Sequence, residues 1–268
     1  MAKTETSLKF EENRTKGKTM KVFCLECNHT NKHRVVTSLD GKGEEWCPSE
    51  GWGVGWTDGY QVIQCEGCET VSFRHLHWFS EDHHPEYGQD GYLERLYPKR
   101  HANSLKGRNL FNVPFGLRRL YVEVIECYNN DSLILCAAGL RAIVDGLCAD
   151  QGVVNGPVKV FSKDGSSSSD KRKNTLEGKI AGMQEKGLLT ATSAKALHEH
   201  RFLGNDALHD LARPDQDDLK LAIEIVEHTL DQLYEIPRKA LSLNRSIAKR
   251  KAQAAAKKVA SKAPKKPS

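Results

Sequence analysis

The sequence predicts an α+β protein with a small β-rich domain first, a bundle of helices second and a basic tail, disordered or helical, last. The first domain is rich in Gly, Trp, His and Cys, and its short apolar runs alternate with polar residues, which is typical of strands. Residues 112–237 instead repeat their apolar residues at helical spacing. The tail from Arg238 to Ser268 contains eleven Lys or Arg residues and no Asp or Glu.

The chain of 268 residues divides into four predicted parts. Residues 1–19 form a flexible N-terminus, residues 20–98 the β-rich domain, residues 110–237 the helical bundle, and residues 238–268 the tail. The N-terminus has no apolar segment of the signal-peptide kind, and no apolar run approaches the roughly 18 residues of a membrane helix. We therefore expect a cytoplasmic protein with no membrane partner.

Two Cys-x-x-Cys pairs define the β-rich domain, Cys24 with Cys27 and Cys65 with Cys68. Each pair sits at a predicted strand–turn–strand corner, as if the same turn were used twice. One such turn places two thiolates on one side of a zinc ion, and the second turn supplies the opposite pair. In a reducing compartment, paired cysteines bind metal more often than they form disulfides. The pattern therefore predicts a zinc ribbon with a structural Zn²⁺ ion, since four thiolate ligands leave no open coordination position.

Other assignments of these cysteines stay open. A redox dithiol or a chance pairing is possible, although a thioredoxin-like site needs a βαβ context that is missing here. Cys47 is a candidate substitute ligand, but a lone buried cysteine is the simpler interpretation. The Gly-rich stretch from Trp46 to Trp56 predicts a loop between the pairs. Six histidines of the domain are spaced too irregularly to favour a second metal site: His29, His33, His75, His77, His83 and His84.

Five amphipathic helices are predicted in the second region. Pro114 suits the first turn of the first helix, and Asp131-Ser132 offers a cap for the second. The second helix has an apolar stripe of Leu133, Cys136, Leu140, Ile143 and Leu147. A serine-rich loop follows, with Lys163-Asp164-Gly165 and Ser166 to Ser169.

The last three helices are shorter or less regular in pattern. Asn174 with Glu177 resembles a capping box for the third helix, which Gly187 ends. The fourth runs from about Thr192 to Leu211. The fifth runs from about Gln216 to Tyr234 and has an apolar face of Leu219, Ile223, Val226, Leu230 and Leu233.

One polar strip on the fourth helix carries residues suited to chemistry. Arg201, Asn205 and His209 are four residues apart, so each step turns by about 40° and the three share one ridge. An arginine can neutralise phosphate oxygens, an amide can orient a phosphodiester, and a histidine can move a proton. A buried hydrogen-bond network that positions helices is the alternative. Arg141 and Asp145, four residues apart on the second helix, face this strip, or they form a surface salt bridge with each other.

Five motifs follow one another in the helical region: Asn112-Val113-Pro114, Tyr121-Val122-Glu123, Gly139-Leu140-Arg141-Ala142-Ile143-Val144-Asp145-Gly146-Leu147-Cys148, Leu176-Glu177-Gly178-Lys179-Ile180, and Arg201-x-x-Gly204-Asn205-x-Ala207-x-His209. By these motifs and their order, residues 110–236 resemble the bacterial family called domain of unknown function 4145. An N-terminal zinc ribbon is similar to arrangements seen in that family. The family is grouped with HEPN-type helical domains, so the resemblance implies an all-α, HEPN-like bundle.

The resemblance also implies a function. HEPN-type domains often act as dimers, and many are metal-independent RNases of toxin–antitoxin and anti-phage systems. Their Arg and His act at the ribose 2′-hydroxyl and the scissile phosphate and are separated by four to six residues. Here seven residues separate Arg201 from His209. We expect RNA binding, or RNA cleavage by Arg201, Asn205 and His209 in a homodimer, in bacterial defence or stress response.

A non-enzymatic dimeric module that binds nucleic acid or protein is the alternative function. In that case the zinc ribbon and the tail make the contacts and the bundle serves dimerisation. The tail cations would then bind a polyanion in a strongly salt-dependent way. The candidate binding residues are Lys249, Arg250, Lys251, Lys257 and Lys258. A nucleotide sensor that uses the polar strip is a third possibility.

Overall fold

The computed structural model describes residues 4–82, 91–161, 168–199 and 212–261. The chain separates into two compact units, Met1–Lys106 and Gly107–Ser268. The first unit is rich in strands and the second in helices. This order confirms the predicted α+β class at the level of the two regions.

The first unit is one antiparallel sheet of six strands. The strands are β1 (Glu5–Glu12), β2 (Thr19–Cys24), β3 (His29–Cys47), β4 (Trp52–Cys65), β5 (Val71–Phe79) and β6 (Leu93–Tyr97). Their order across the sheet is β1-β3-β4-β5-β6. Strand β2 also pairs with β3, at the half of β3 that β1 leaves unpaired.

The Gly-rich stretch between the cysteine pairs is strand rather than the predicted loop. Strand β3 continues to Cys47, and β4 begins at Trp52, so only four residues connect them. The glycines are what permit this arrangement. A Cβ atom at Gly43 would lie 2.0 Å from the Trp56 ring on the neighbouring strand, so the ring occupies the space that a side chain would fill.

The N-terminal segment also differs from the prediction. Residues Glu5–Glu12 form β1 at the edge of the sheet instead of a flexible terminus. All eight residues are exposed, so no burial pattern announces the strand. It is held by backbone pairing with β3 and by the Phe10 ring, which packs against Gly41. The packing is close, because a Cβ atom added to Gly41 would lie 2.9 Å from the Phe10 ring.

The apolar core of the sheet is small. It consists of Val22, Val35 and Ile63, with Met20 and Leu96 packed against it. Beside it, the buried Arg100 side chain ties distant parts of the unit together. Its Nε donates to the Phe23 carbonyl at 2.7 Å, and its Nη2 donates to Ser72 Oγ at 2.7 Å. These bonds connect β2 with β5.

The described residues of the second unit form six helices and a β-hairpin. The elements are α1 (Phe115–Asn129), α2 (Leu133–Asp150), β7 (Gly156–Phe161), β8 (Ser168–Lys173), α3 (Leu176–Glu185), α4 (residues 191–199 as described), α5 (Gln216–Leu230) and α6 (Ile236–Ser261). Pro114 is the residue directly before α1 and not part of its first turn. Ser132 is the N-cap residue of α2, as predicted, but its side chain makes no capping hydrogen bond. None of the described helices is long and apolar enough to cross a membrane.

The predicted apolar stripes form the core of this unit. All five stripe residues of α2 are buried, with exposed fractions of 5% or less. Four of the five on α5 are buried as well; they are Leu219, Ile223, Val226 and Leu230. Leu233 lies beyond α5 and is only partly buried. The helical periodicity of the sequence therefore identified the core faces of both helices.

A β-hairpin corrects the prediction of an all-α bundle. Strands β7 and β8 pair antiparallel where the sequence indicated only a serine-rich loop. The hairpin lies close to α3 because both elements present glycine. A Cβ atom added to Gly156 would lie 2.1 Å from the Gly178 carbonyl oxygen, and one on Gly182 would lie 2.3 Å from the Asn155 oxygen. Thr175, not Asn174, caps α3 by accepting from the Gly178 N–H.

Helix α5 does not end near Tyr234 as predicted. It passes through a π-helical segment, Asp231–Glu235, directly into α6. Pro237 lies in the first turn of α6, where a proline is tolerated. The predicted tail is therefore helical as far as Ser261. The proposed disorder of residues 262–268 lies outside the described residues.

Candidate metal centre

Strand β3 aligns the two cysteine turns. Cys24 ends β2 and pairs with His29, the first residue of β3. Cys65 ends β4 and pairs with His33, four residues further along β3. Both Cys-x-x-Cys turns consequently leave the sheet at the same end. The sheet register thus brings together sulfurs that lie 38 and 44 residues apart in sequence.

The two turns share one backbone conformation. In each, the residue after the second cysteine has a positive φ, +56° at Asn28 and +61° at Glu69. This left-handed conformation is uncommon outside glycine, and glutamate is not among the residues that favour it. Its recurrence at the same position confirms that the same turn is used twice.

The four sulfur atoms are spaced for one tetrahedral ion. Cys24 Sγ lies 3.5 Å from Cys68 Sγ, and Cys27 Sγ lies 3.8 Å from Cys65 Sγ. All four lie within 4.8 Å of one another. Zinc–sulfur bonds of about 2.3 Å give a tetrahedral edge of about 3.8 Å, whereas a disulfide requires about 2.05 Å. The predicted ligands therefore come together in a cluster compatible with zinc.

Several N–H groups point at the sulfurs. Asn31 Nδ2 donates to Cys65 Sγ at 3.5 Å and to Cys27 Sγ at 3.6 Å. The backbone N–H of Gly67 donates to Cys65 Sγ at 3.4 Å. Such donors stabilise thiolates and fix ligand orientation. Asn31 was not identified from the sequence, because its role depends on the hairpin that folds it back over the turn.

The thiols differ in how readily they ionise. Hydrogen bonds from the Thr70 side chain and backbone lower the pKa of Cys68 to about 6. A hydrogen bond with the Cys68 sulfur raises the pKa of Cys27 to about 12, and burial raises the pKa of Cys24. The Cys68 thiol, with its lowered pKa, thus ionises more readily than the thiols of Cys24 and Cys27. Ionisation of all four sulfurs at this separation requires a central cation, because adjacent thiolates repel each other.

Two other buried residues of the sheet, one beside the cluster and one at the far end of β3, do not take part in it. His33 is 1% exposed, its Nδ1 lies 3.0 Å from the Asn31 carbonyl oxygen, and burial lowers its pKa. Cys47 is fully buried, and its sulfur lies 3.4 Å from Ser49 Oγ. Cys47 is therefore not one of the clustered ligands. This agrees with its interpretation as a lone buried cysteine.

The candidate catalytic strip lies elsewhere in the chain. Arg201, Asn205 and His209 fall outside the described residues, so their predicted arrangement stays a prediction. Within the described part, Asp145 accepts from Lys179 Nζ at 2.7 Å, which joins α2 to α3. Both side chains are partly exposed. Asp145 thus pairs with Lys179, whereas the predicted pairing of Arg141 with Asp145 stays a prediction; Arg141 is half-buried on the same helix.

A polar network around the π segment was not predicted from the sequence. Glu235 is 4% exposed and accepts twice from Asn112, from its backbone N–H at 2.7 Å and its side-chain Nδ2 at 2.6 Å. Arg108 Nη2 donates to Asp231 at 2.6 Å. The π turn inserts these acidic side chains on the inner side of a continuous helix. Such turns often occur at functional sites.

A buried tyrosine extends this network to α1. The Tyr121 hydroxyl donates to Glu227 Oε1 and accepts the Arg108 backbone N–H at 2.9 Å. Burial raises the pKa of both Tyr121 and Glu227. Asn112 and Tyr121 belong to the quoted motifs, so the motifs were the available signal. What they could not reveal is that their partners are Glu235 and Glu227.

The predicted tail cations lie on α6. Residues 236–254 are exposed, including Lys249, Arg250 and Lys251. Lys257 and Lys258 belong to the same helix. The helix contains eight Lys or Arg residues and no Asp or Glu.

Comparison with known proteins supports the resemblance for the helical unit. The family model described as Domain of unknown function (DUF4145) matches residues 122–250, slightly under half of the chain. No curated protein and no solved structure matches the chain. The matched range begins within α1 and ends within α6, so it includes residues 238–250 of what the sequence indicated as a tail. Residues 122–250 are thus similar to the DUF4145 family.

Proposed function

We propose that this protein is a zinc-stabilised nucleic-acid-binding protein that contacts RNA through α6. The observation that carries the proposal is the charge of that helix, eight cations and no acid, on side chains exposed as far as residue 254. A helix of 26 residues extends for about 39 Å. It therefore offers a rod of positive charge to a phosphate backbone.

Over residues 236–249, three cations of α6 lie opposite three exposed apolar residues, while later cations such as Arg250 flank the apolar side. At 100° per residue, Arg238, Arg245 and Lys249 lie on one side of the helix. Ile236, Leu243 and Ile247 lie on the opposite side and are 56%, 61% and 40% exposed. This separation supports two partners for one helix, RNA on the basic side and a second copy of the chain on the apolar side. The homodimer is part of the proposal.

The RNA proposal is tested by removing charge from the basic side. We expect the variant Arg238→Gln, Arg245→Gln, Lys249→Gln to bind labelled single-stranded RNA more weakly. The slope of log affinity against log salt should fall by about 2, since each phosphate contact contributes about 0.7. Fluorescence anisotropy at several salt concentrations measures both quantities.

A matched variant controls for net charge. Lys9, Lys195 and Lys220 are exposed cations on other elements, and their triple Gln variant removes the same charge. The control should keep the affinity and the salt slope of the unmodified protein within a factor of about two. Equal losses in the two variants would mean that α6 is not the contact, and the proposal would be wrong.

The zinc is proposed as a structural ion. Four thiolate ligands complete a tetrahedron and leave no position for a substrate or a water molecule. The ion would therefore hold the two turns together and take no part in chemistry. This assignment is independent of α6 and is tested by metal removal, as described below.

RNA cleavage is the second candidate function. The observation that favours it is the family match over residues 122–250, which includes Arg201, Asn205 and His209. By resemblance, His209 would act at the ribose 2′-hydroxyl and Arg201 at the scissile phosphate, which gives a product with a cyclic phosphate. His209→Ala should abolish cleavage of RNA, whereas His228→Ala, at an exposed position of α5, should not. Equal cleavage by both variants, or none by the unmodified protein, would exclude this function while leaving RNA binding unaffected.

A further inference from the structure

A second cluster of possible metal ligands lies on the sheet, away from the cysteines. Asp58 of β4 is directly opposite His77 of β5, and Tyr60 is directly opposite His75. Side chains of a strand alternate between the two faces, so residues two apart share a face. Asp58, Tyr60, His75 and His77 therefore project from the same face of the sheet. The irregular spacing of the histidines in the sequence did not indicate that these side chains lie close together.

One carboxylate oxygen lies between the two imidazoles. Asp58 Oδ1 is 2.8 Å from His75 Nε2 and 2.8 Å from His77 Nδ1. The ligand atoms of all three residues lie within 4.8 Å of one another. The side chains of Asp58, His75 and His77 are 17%, 16% and 30% exposed. An ion arriving from solvent can reach them, and water can complete its coordination.

We propose that Asp58, His75 and His77 form a second metal site, for a divalent first-row transition ion such as Zn²⁺. Imidazole nitrogen and carboxylate oxygen suit such ions. Ligand bonds of about 2.0–2.1 Å place neighbouring ligand atoms about 3.0–3.4 Å apart. The side chains need to open by only a few tenths of an ångström from 2.8 Å. The remaining coordination positions belong to water.

The rings are already oriented for this role. The Tyr60 ring stacks on His75, with centroids 4.7 Å apart and planes within 6°. This contact fixes the ring plane of His75 before any ion binds, so little side-chain freedom is lost on binding. Burial disfavours the charged form of Asp58, but the hydrogen bonds from His75 and His77 outweigh burial and lower its pKa. The carboxylate is therefore ionised at neutral pH and ready to act as a ligand.

Metal binding replaces two hydrogen bonds. In the metal-free form, His75 Nε2–H and His77 Nδ1–H donate to Asp58 Oδ1. Coordination requires a lone pair on each of those nitrogens, so each ring gives up the N–H proton that Asp58 accepts, to water or to its other nitrogen. Each coordinated ring is neutral, and Asp58 contributes the one negative charge of the site.

The site is separate from the cysteine cluster. Asp58 and Cys65 lie on the same strand, seven residues apart, which corresponds to about 23 Å. The two donor sets also differ in chemistry, because one consists of thiolates and the other of nitrogen and oxygen. The Asp58 site is therefore expected to bind its ion more weakly than the cysteine cluster does, and to exchange it faster. This inference does not depend on RNA binding.

The test is the zinc stoichiometry of the full chain. Protein is dialysed to equilibrium against dilute Zn²⁺, and bound zinc is measured by elemental analysis. The unmodified chain should hold a second equivalent beyond the one at the cysteines. Asp58→Asn and His77→Ala should each weaken the second equivalent at least about tenfold, since even supporting residues of metal sites contribute that much. Both variants should keep the first equivalent of zinc, the one bound at the cysteines.

Two controls make the outcome decisive. His228→Ala removes an exposed histidine from α5 and should leave the second equivalent unchanged. Circular dichroism identifies any variant that has lost its strands, and Asp58→Asn keeps the shape of the side chain. The inference is overturned if the unmodified chain holds one equivalent only. It is also overturned if both site variants, correctly folded, retain the second equivalent at unchanged affinity.

Discussion

The two units of this chain are stabilised in different ways. Within the described residues the buried apolar cluster of the sheet is Val22, Val35 and Ile63, and apolar side chains such as Phe10 and Val71 are exposed on the sheet surface. The helical unit buries most of the large apolar side chains. The largest of these are Tyr121, Tyr128, Leu140, Ile143, Leu147, Ile180, Met183, Leu197, Leu219, Ile223 and Leu230. A core of three residues is too small for independent stability, whereas the helical core is not.

The difference in core size indicates that the proposed zinc ion would stabilise the sheet and not the helical unit. In the sheet, the cysteine turns close one end and Arg100 ties β2 to β5, so specific polar bonds replace apolar volume. In the helical unit, the buried Glu235–Asn112 pair and the Tyr121 network add to a core that already exists. We therefore expect the two units to respond to different perturbations.

Metal removal should have the largest effect and should act on the sheet alone. Structural zinc contributes an apparent 10–16 kcal/mol, roughly, to the folding of small metal domains. Chelation, or Cys65→Ser, should therefore unfold β1 to β6. Hydrogen exchange measured by mass spectrometry should show lost protection in residues 4–82 and unchanged protection in α1, α2 and α5.

A cysteine outside the cluster provides the control. Cys47→Ala also removes a buried sulfur from the sheet, but it should shift stability by no more than about 2 kcal/mol. If Cys65→Ser and Cys47→Ala had equal effects, the ion would not hold the sheet together. Loss of protection in α2 would contradict the separation of the two units.

Short sequence patterns predicted those features that depend on residues close together in the sequence. The cysteine ligands follow from a spacing of two residues, and the core faces of α2 and α5 follow from helical periodicity. The β1 strand was missed because all its residues are exposed, and β8 because its sequence SSDKRK contains no apolar residue. The alternation of Val158-Lys159-Val160 in β7 was too short to predict a strand. The cluster at Asp58 depends on the register of β4 with β5, which no short pattern encodes.

Substitution of a closely packed glycine in the helical unit should give the next largest loss of stability. A Cβ atom on Gly178 of α3 would lie 2.1 Å from the Lys173 carbonyl oxygen, which is backbone and cannot turn away. Gly178→Ala should therefore destabilise the helical unit by about 1–3 kcal/mol or more, despite the better helix propensity of alanine. Chemical denaturation followed by circular dichroism measures the change.

The matched variant is Gly116→Ala in α1. An added Cβ meets nothing within 4 Å there, so this change should be neutral or stabilise by up to about 1 kcal/mol. The sheet should be unaffected by either substitution. Equal behaviour of the two alanines would mean that the hairpin does not approach α3 as closely as described.

A pair of buried tyrosines gives the smallest and most specific comparison. Tyr121 and Tyr128 lie two turns apart on the same side of α1 and are 1% and 0% exposed. The Tyr121 hydroxyl is hydrogen-bonded to Glu227 and to the Arg108 N–H. Within the described residues, the Tyr128 hydroxyl has no hydrogen-bond partner. Tyr121→Phe should destabilise the helical unit by about 1–3 kcal/mol, because it leaves buried polar groups unpaired.

Tyr128→Phe should behave in the opposite way. It removes an unpaired hydroxyl from an apolar site and leaves no partner behind, so it should be neutral or stabilise by up to about 1 kcal/mol. Denaturant midpoints of the two single variants and the double variant separate the effects. The two positions share no polar partner, so their effects should add. A destabilising Tyr128→Phe would mean that the hydroxyl has a partner in solution, and the helical unit would then depend on polar contacts as the sheet does.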